Sequence, residues 1–278
     1  MKKIYIMVLA VCMTAGTLNA QKIYVRAGLG GGVGLKQYVR DFWADETKTA
    51  STDNFVVKSV GLGGGFNVNA AFGYKMTDNV AIEFGINEFI GLAKKSNQSA
   101  TGTFNDFNKE LKISGMMLQL VPAVVISPGL EKVNPYARLG MIVGVLPSIM
   151  VKSSSTNTNS GGPRASTLTE YTMKLHGGVA VGFTAAGGVT FNLSDMLSLY
   201  GELVYNGITY APSKGIYKKY TVDGVDRLAD MTTRDKETIY VKKYDANENI
   251  ADGSPDKAPK ESFNFSNVLL NIGVMIKL

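Results

Sequence analysis

The chain ends in the stretch "NVLLNIGVMIKL" (residues 267–278), and its pattern of apolar residues indicates the type of fold. From Val268 onward every second residue is apolar, and the set is Val268, Leu270, Ile272, Val274, Ile276 and Leu278. Alternation with period two is typical of a β-strand that has one apolar face. Chain ends fray unless the rest of the protein holds them in place. The sequence therefore predicts that another strand pairs with this last one.

The first 20 residues, "MKKIYIMVLAVCMTAGTLNA", have the layout of an export signal. Lys2 and Lys3 precede an apolar stretch, and Ala20 stands before Gln21, which is typical of a cleaved secretory signal and not of a membrane-spanning helix. A lipoprotein signal that uses Cys12 is the alternative. We therefore predict a signal peptide at 1–20 and one exported domain at 21–278. Since Cys12 is the only cysteine, the mature chain would have no thiol chemistry.

The composition of the exported part indicates a single β-rich domain. Without Lys2 and Lys3 it holds 27 basic and 23 acidic residues, and this net charge of +4 is too mild to indicate a nucleic-acid partner. The 31 glycines and 13 tyrosines of the full sequence, all but one of each after residue 20, favour sheets over helices. No apolar run after Gln21 is as long as a membrane-spanning helix requires.

Eight segments alternate with period two and are predicted to be strands. In the first, Ile23 and Val25 share one face while Tyr24 and Arg26 share the other. Pro122 lies in the fourth segment and indicates either a bulge or a distorted pairing there. The predicted strands are 22–34, 56–75, 80–92, 112–127, 135–146, 172–192, 197–210 and 263–278.

The connections between these strands alternate in length. Short turns at "KMTDN", "SPGLEKVN" and "NLSDM" alternate with long segments at 35–55, 93–111, 147–171 and 211–262. The stretches 74–82 and 191–199 also match each other, with Thr77-Asp78 in one turn and Ser194-Asp195 in the other. Such residues favour turns because their side chains hydrogen-bond nearby backbone amides. Short turns on one side and long loops on the other are the layout of an outer-membrane barrel.

These features together resemble one known family. The export signal, the eight strands and the segments "GYKMTDNVAIEFG" (73–85), "VNPYARLGMIVG" (133–144), "NLSDMLSLYGELVYN" (192–206) and "NVLLNIGVMIKL" resemble the small outer-membrane β-barrel (porin-like, OmpA/OmpX-type) family of Gram-negative bacteria. The resemblance implies an all-β fold, an eight-stranded antiparallel up-and-down transmembrane β-barrel with short periplasmic turns and long extracellular loops. It also implies a location in the cell outer membrane, contacts with outer-membrane lipid and lipopolysaccharide, and assembly by the barrel-assembly machinery through the C-terminal strand.

Several motifs are candidates for sites of chemistry, but each lacks a feature that the chemistry requires. "GLGGGVG" (28–34) and "GLGGGF" (61–66) do not complete a phosphate-binding loop and do not begin a helix. His176 has no serine and acid at a spacing that suggests a catalytic triad. The stretch "DANENIADGSPD" from Asp245 has Ile250 where a calcium loop needs glycine. We therefore predict no catalytic residues, no metal site and no cofactor. A soluble barrel with an apolar interior remains the alternative fold.

Four charged residues share the polar face of the predicted strands. Arg26, Glu83, Arg138 and Glu202 come from the first, third, fifth and seventh strands, and their charges balance. The interior of an eight-stranded barrel is just wide enough to be filled by side chains. Because an unpaired buried charge is strongly unfavourable, we expect the four side chains to pair across the lumen and to plug it. A gate that opens for small solutes is the alternative.

The segment 211–262 is the second candidate for function. It holds ten basic and ten acidic residues, and "KETIYVKKY" within it alternates well enough to extend the barrel as a hairpin. Loops of this length are usually functional or disordered. We expect either a surface that binds a protein partner or a variable, solvated coat. Three functions stay open: a structural or adhesin-like surface barrel, a narrow channel for small solutes, and a lipid-modifying enzyme.

Overall fold

A computed structural model describes residues 22–38, 44–49, 51–57, 59–102, 105–159, 165–245 and 247–278. The predicted signal peptide at 1–20 lies outside the described residues. Eight strands, which we number β1 to β8, form the central ring. They are Ile23–Gly34 (β1), Gly65–Lys75 (β2), Val80–Gly91 (β3), Asn105–Ile126 (β4), Val133–Asn159 (β5), Ala180–Asn192 (β6), Leu197–Tyr210 (β7) and Asn267–Lys277 (β8).

Further short elements lie outside the ring. The strands are Gln37–Tyr38, Ala44–Lys48, Asp53–Val57, Ser59–Val60, Lys94–Thr101, Ala165–His176, Lys214–Val222, Val225–Asp226, Glu237–Val241, Asp256–Pro259 and Phe263–Asn264. Leu228–Asp230 is a 3-10 helix, and Thr233–Lys236 is a single α-helical turn. Among the described residues, no helix is both long and apolar enough to cross a membrane.

The eight strands close into an antiparallel ring in chain order. Each pairs with the next along the chain, from β1 with β2 through β7 with β8. The ring closes where β8 pairs with β1, from Tyr24 opposite Lys277 to Gly34 opposite Asn267. The amide of Leu278 also donates to the carbonyl of Ile23 at 2.9 Å. The prediction that another strand takes up the last one is confirmed.

Short turns join the strands at one end of the ring, which we call the turn end; the opposite end is the loop end. The two matching turns use the same hydrogen bond, because the amide of Val80 donates to Thr77 Oγ1 and that of Leu197 donates to Ser194 Oγ, both at 3.0 Å. This confirms the hairpin repeat that the sequence indicated.

Alternation along the ring strands separates two surfaces. The outward residues are apolar and exposed, and they include Leu29, Phe66, Val68, Phe72, Phe84, Ile86, Leu139, Met141, Phe183, Leu203, Leu270 and Ile272. The inward residues near the turn end are mostly polar and buried. Nearer the loop end the interior becomes apolar, with Phe89, Met117, Ile142, Ile208 and Phe265 among its buried residues.

The sheet continues past the ring at the loop end. The extra length of β4 pairs with Lys94–Thr101, and the extra length of β5 pairs with Ala165–His176. The latter strand pairs in turn with Lys214–Val222, which pairs with Glu237–Val241. We call this extension the outer sheet; the long connections therefore carry regular structure.

The structure differs from the sequence prediction in several segments. The predicted strand 172–192 belongs to two strands, Ala165–His176 and β6. Gly177 and Gly178 lie between these strands and turn the chain, because their φ angles are 82° and 80°. The predicted strand 56–75 begins only at Gly65 as a ring strand. Segments predicted as loops at 93–111 and 147–171 are largely strands, because hydrogen bonding between neighbouring strands compensates for their weak apolar alternation.

The outward apolar surface predicts a strong difference between two arginine substitutions. Leu270 is 62% exposed on β8 and Val225 is 53% exposed beyond the ring. If the outward surface meets hydrocarbon, Leu270→Arg should destabilise the protein by about 2–4 kcal/mol, whereas Val225→Arg should be nearly neutral. Urea unfolding in lipid vesicles measures both. Equal effects of the two substitutions would contradict a lipid-facing ring.

Candidate functional site

The structure brings Arg26, Glu83, Arg138 and Glu202 together inside the ring. They lie on β1, β3, β5 and β7, at inward positions of the alternation. Arg26 is 3% exposed, Glu83 2%, Arg138 6% and Glu202 2%. Two positive and two negative side chains therefore share one buried layer, which we call the charge layer.

Glu202 is the centre of the charge layer. It accepts from Nη2 of Arg26 at 3.1 and 3.2 Å and from Nη2 of Arg138 at 2.8 Å. The hydroxyl of Tyr136 donates to it at 2.9 Å, and the amide of Asn271 donates at 3.0 Å. Charge-assisted bonds of this length are among the stronger polar contacts in proteins. Glu202, on β7, thus connects side chains of three other strands, β1, β5 and β8.

Glu83 is held more loosely than Glu202. The hydroxyl of Tyr24 donates to it at 2.8 Å. Its contacts with the arginines are longer, at 3.6 Å from Nε of Arg26 and 3.9 Å from Nε of Arg138. Neither Nε has a hydrogen-bond partner among the described residues. The Glu83 side of the charge layer therefore keeps polar capacity that the protein itself does not use.

A layer of three tyrosines lies next to the charge layer, on the side of the turn end. Tyr24, Tyr136 and Tyr200 each stand two residues before a member of the charge layer and share its inward face. The guanidinium of Arg26 lies 4.7 Å from the ring centre of Tyr200, a cation–π geometry. Alternation places Tyr24 on the inward face, but the tyrosines were not predicted to be part of the site. The signal was present as "YVR" at 24–26, "YAR" at 136–138 and "YGE" at 200–202.

Glycines on neighbouring strands make room for the tyrosines. A Cβ atom added at Gly73 would overlap the ring of Tyr24, and one at Gly28 would overlap the hydroxyl of Tyr200. A Cβ atom at Gly188 would lie 2.7 Å from Tyr136 Cζ. The glycines therefore allow large side chains to fill a narrow interior.

Two cavities flank the contact between Arg26 and Glu83. One opens at the turn end and has a volume of about 230 Å³. The other lies farther inside and holds only about 10 Å³, roughly the space of a single water molecule. Arg26 and Glu83 line both cavities. Their contact is therefore the partition between the turn-end vestibule and the interior.

An apolar cluster fills the interior beyond the charge layer. Phe265 packs edge-on against Phe89 and Tyr210, with ring centres 6.4 and 6.1 Å apart. Met117, Ile142 and Ile208 belong to the same cluster. The interior thus has two barriers in series, the charge layer and this apolar cluster.

The other sequence candidates lie apart from this site. His176 ends a strand of the outer sheet, opposite Ser148 and Lys214. The segment 211–262 supplies the outer-sheet strands Lys214–Val222 and Glu237–Val241. Across the described ranges, no group of three or more His, Cys, Asp or Glu residues is placed to hold a metal ion.

A closed antiparallel ring with an apolar exterior and a paired polar interior defines an outer-membrane β-barrel. The chain belongs to the outer membrane protein beta-barrel domain family, whose model matches residues 7–225. Membership of this family places the protein in the outer membrane. This confirms the resemblance that the sequence showed.

Two solved structures are similar to the chain over most of its length. Neisserial surface protein A (NspA) is 14% identical with a TM-score of 0.36, over 92% of this chain and 97% of that chain. Ail, the attachment invasion locus protein of Yersinia pestis, is 10% identical with a TM-score of 0.29, over the same shares. No curated protein matches the sequence significantly.

The unequal contacts of the two glutamates predict unequal costs of removing them. Glu202→Gln should destabilise the barrel by about 3–5 kcal/mol, because it leaves two buried arginines without their shared partner. Glu83→Gln should cost clearly less, because its ion pairs are already longer than hydrogen bonds. Reversible urea unfolding in vesicles gives both values. A larger loss for Glu83→Gln would show that Glu202 is not the centre of the layer.

Adjacent glycines on β6 provide a test of the filled interior. Gly188 faces Tyr136, while a Cβ atom at Gly187 meets nothing within 4 Å. Gly188→Ala should destabilise the protein by about 1–3 kcal/mol through overpacking, and Gly187→Ala should be neutral. The same unfolding assay compares the two. Tolerance of alanine at both positions would mean that the interior near Tyr136 is loosely packed.

Proposed function

We propose that the protein is an eight-stranded up-and-down transmembrane barrel, closed to solutes, that supports the outer sheet as a structural or adhesin-like surface. The short turns face the periplasm and the outer sheet faces the cell exterior. The role is non-enzymatic and needs no cofactor. Export uses a signal peptide at 1–20, and the barrel-assembly machinery recognises β8.

The observation that carries this proposal is the filled interior. Paired side chains of the charge layer leave about 10 Å³ of free volume, and the apolar cluster lies beyond them. A hydrated ion needs a continuous water path, and a charge that crosses an apolar layer pays a large desolvation penalty. The two barriers together support a closed lumen.

The outer sheet supports the surface role. β5 runs from Val133 to Asn159, well beyond its last pair with β6 at Gly144 and Ala180. The segment 211–262 adds strands to the same sheet, so that a broad surface stands on the ring. Binding of a protein partner by this segment is part of the proposal.

A narrow channel is the second candidate. It is favoured by the 230 Å³ vestibule, which reaches the loose contact between Arg26 and Glu83 from the turn end. Movement of Glu83 alone would open the partition to the inner cavity. The apolar cluster would then have to rearrange as well, which is why we place the channel second.

Conductance in a planar bilayer separates the two candidates. The wild-type protein should show little current, or only small and intermittent openings. The double variant Glu83→Ala/Glu202→Ala leaves two uncompensated arginines, which should draw in water and make any added current prefer anions. Arg138→Ala should have a smaller effect and shift the preference toward cations. A large, steady wild-type current that these variants leave unchanged would make the channel the better assignment.

A further inference from the structure

Three lysines stand directly beside one another across the outer sheet. Lys95 is opposite Lys112, and Lys112 is opposite Lys152 on the next strand. We call these three residues the lysine row. Directly opposed side chains in a sheet lie about 4.5–5.5 Å apart at Cβ, and like charges at that distance destabilise the pairing. Folding of the sheet alone therefore gives no reason for this arrangement.

The lysine row is on the outward face of the sheet. On β4 the neighbours Leu111 and Ile113 are buried in the interior cluster, so Lys112 points the other way. On β5 Val151 is buried and Lys152 is exposed, and next to Lys95 the residue Ser96 is buried. All three ammonium groups therefore lie on the outward face of the sheet. Nearer the turn end, the same face carries the exposed apolar residues of the ring, which we call the apolar band.

The row lies just above that apolar band. Met116 is an outward, exposed residue on the same strand as Lys112, four positions closer to the turn end. At about 3.3 Å per residue, the spacing along the strand is roughly 13 Å. In the proposed orientation, this height corresponds to the headgroups of the outer leaflet. This part of the inference rests on the proposed function.

More positive charge continues the row on the neighbouring strands. Lys219 is paired with Thr172, which is itself opposite Lys152. Lys214 stands opposite His176, and burial together with the charges of Lys174, Lys218 and Lys214 lowers the pKa of that histidine. The outward face just above the band is thus positively charged across at least five strands.

Two glutamates balance only part of this charge. Glu110 contacts Lys112, and its pKa is lowered first by that hydrogen bond and further by the charge of Lys95. Glu170 contacts Lys219 at 2.9 Å. Within the part of the chain that the structure describes, Lys95 and Lys152 have no carboxylate within 4.0 Å. One carboxylate, Glu110, therefore faces the three ammonium groups of the row, and the row keeps a net positive charge that an anion outside the protein can neutralise.

We propose that the lysine row binds the phosphate groups of a phosphorylated lipid headgroup in the outer leaflet. Three ammonium groups in a line, continuous with a lipid-facing surface, match a ligand whose tails lie against the barrel and whose phosphates lie at the headgroup level. Each lysine beside an anionic membrane surface contributes roughly fivefold to affinity, so the row contributes on the order of a hundredfold.

The test uses the full-length barrel in phosphatidylcholine nanodiscs, with and without diphosphoryl lipid A. Thermal unfolding of the wild type should shift upward with the phosphorylated lipid, and much less with the same lipid after phosphatase treatment. In the variant Lys95→Gln/Lys112→Gln/Lys152→Gln the shift should disappear, with affinity lower by on the order of a hundredfold. The control Lys236→Gln/Lys242→Gln/Lys243→Gln makes the same charge change elsewhere and should keep the shift.

The proteins in phosphatidylcholine nanodiscs without lipid A give a second readout that separates a ligand site from a merely structural role. In these nanodiscs the lysine-row variant should be as stable as the wild type or more stable, because opposed like charges are removed. A lower stability of the variant without lipid A, or a full lipid A shift in this variant, would overturn the proposal. A shift of equal size with inorganic phosphate alone would also overturn the assignment to a lipid.

Labelling of whole cells keeps this test independent of the proposed function. A cysteine introduced at Val225 should react with a membrane-impermeant maleimide if the outer sheet is outside the cell. Reaction only after the outer membrane is permeabilised would show that the outer sheet does not face the cell exterior. This result would refute both the proposed orientation and the lipid inference. Reaction in intact cells without a lipid shift would refute the lipid site alone.

Discussion

The structure depends on one constraint: a strand in hydrocarbon must have both of its edges hydrogen-bonded. Water cannot satisfy the free amides and carbonyls of an edge strand there, so the sheet has to close on itself. The pairing of β8 with β1, from Tyr24 and Lys277 to Gly34 and Asn267, meets this condition. Closure also fixes the width of the interior. Every other feature of the ring, from the apolar exterior to the glycines opposite the tyrosines, follows from the two faces that closure separates.

The charge layer fits this constraint in a way that an apolar interior would not. A shift of one residue in the pairing of any strand exchanges its two faces. For β7 such a shift would move Glu202 into lipid and Leu203 into the charge layer, and Arg26 and Arg138 would lose their shared partner. The penalty for a wrong register is therefore much larger than the net stability that the buried ion pairs provide in the right one. The charge layer accordingly acts to specify register as much as to fill space.

Period-two alternation predicted the location of the eight ring strands and the inward face of all four charged residues, although the predicted segments 56–75 and 172–192 extend beyond the ring strands. It could not predict that Glu202 binds both arginines while Glu83 stays loose, because the height of each residue depends on the stagger between strands, which no single strand encodes. The tyrosines beside the charges recur as Tyr-x-Arg and Tyr-x-Glu, but each looks ordinary by itself. Apart from "KETIYVKKY", which was predicted to extend the barrel, the outer sheet was missed for another reason: its Ser, Thr and Asn residues show no apolar period, and pairing between strands determines its structure.

The charge layer and the lysine row both hold like charges close together, but they differ in how far the protein itself supplies the opposite charges. Inside the ring, Glu202 binds Arg26 and Arg138 within 3.1 Å and Glu83 makes longer contacts with both, so that two buried acids match two buried bases. On the outer sheet, Lys95, Lys112 and Lys152 oppose one another, although a serine or threonine at any of the three would pair without repulsion. Conflicts between local pairing rules and the observed arrangement concentrate at functional positions. The charge-balanced layer accordingly supports a closed scaffold, and the net positive charge of the row supports a surface through which the scaffold interacts with its membrane.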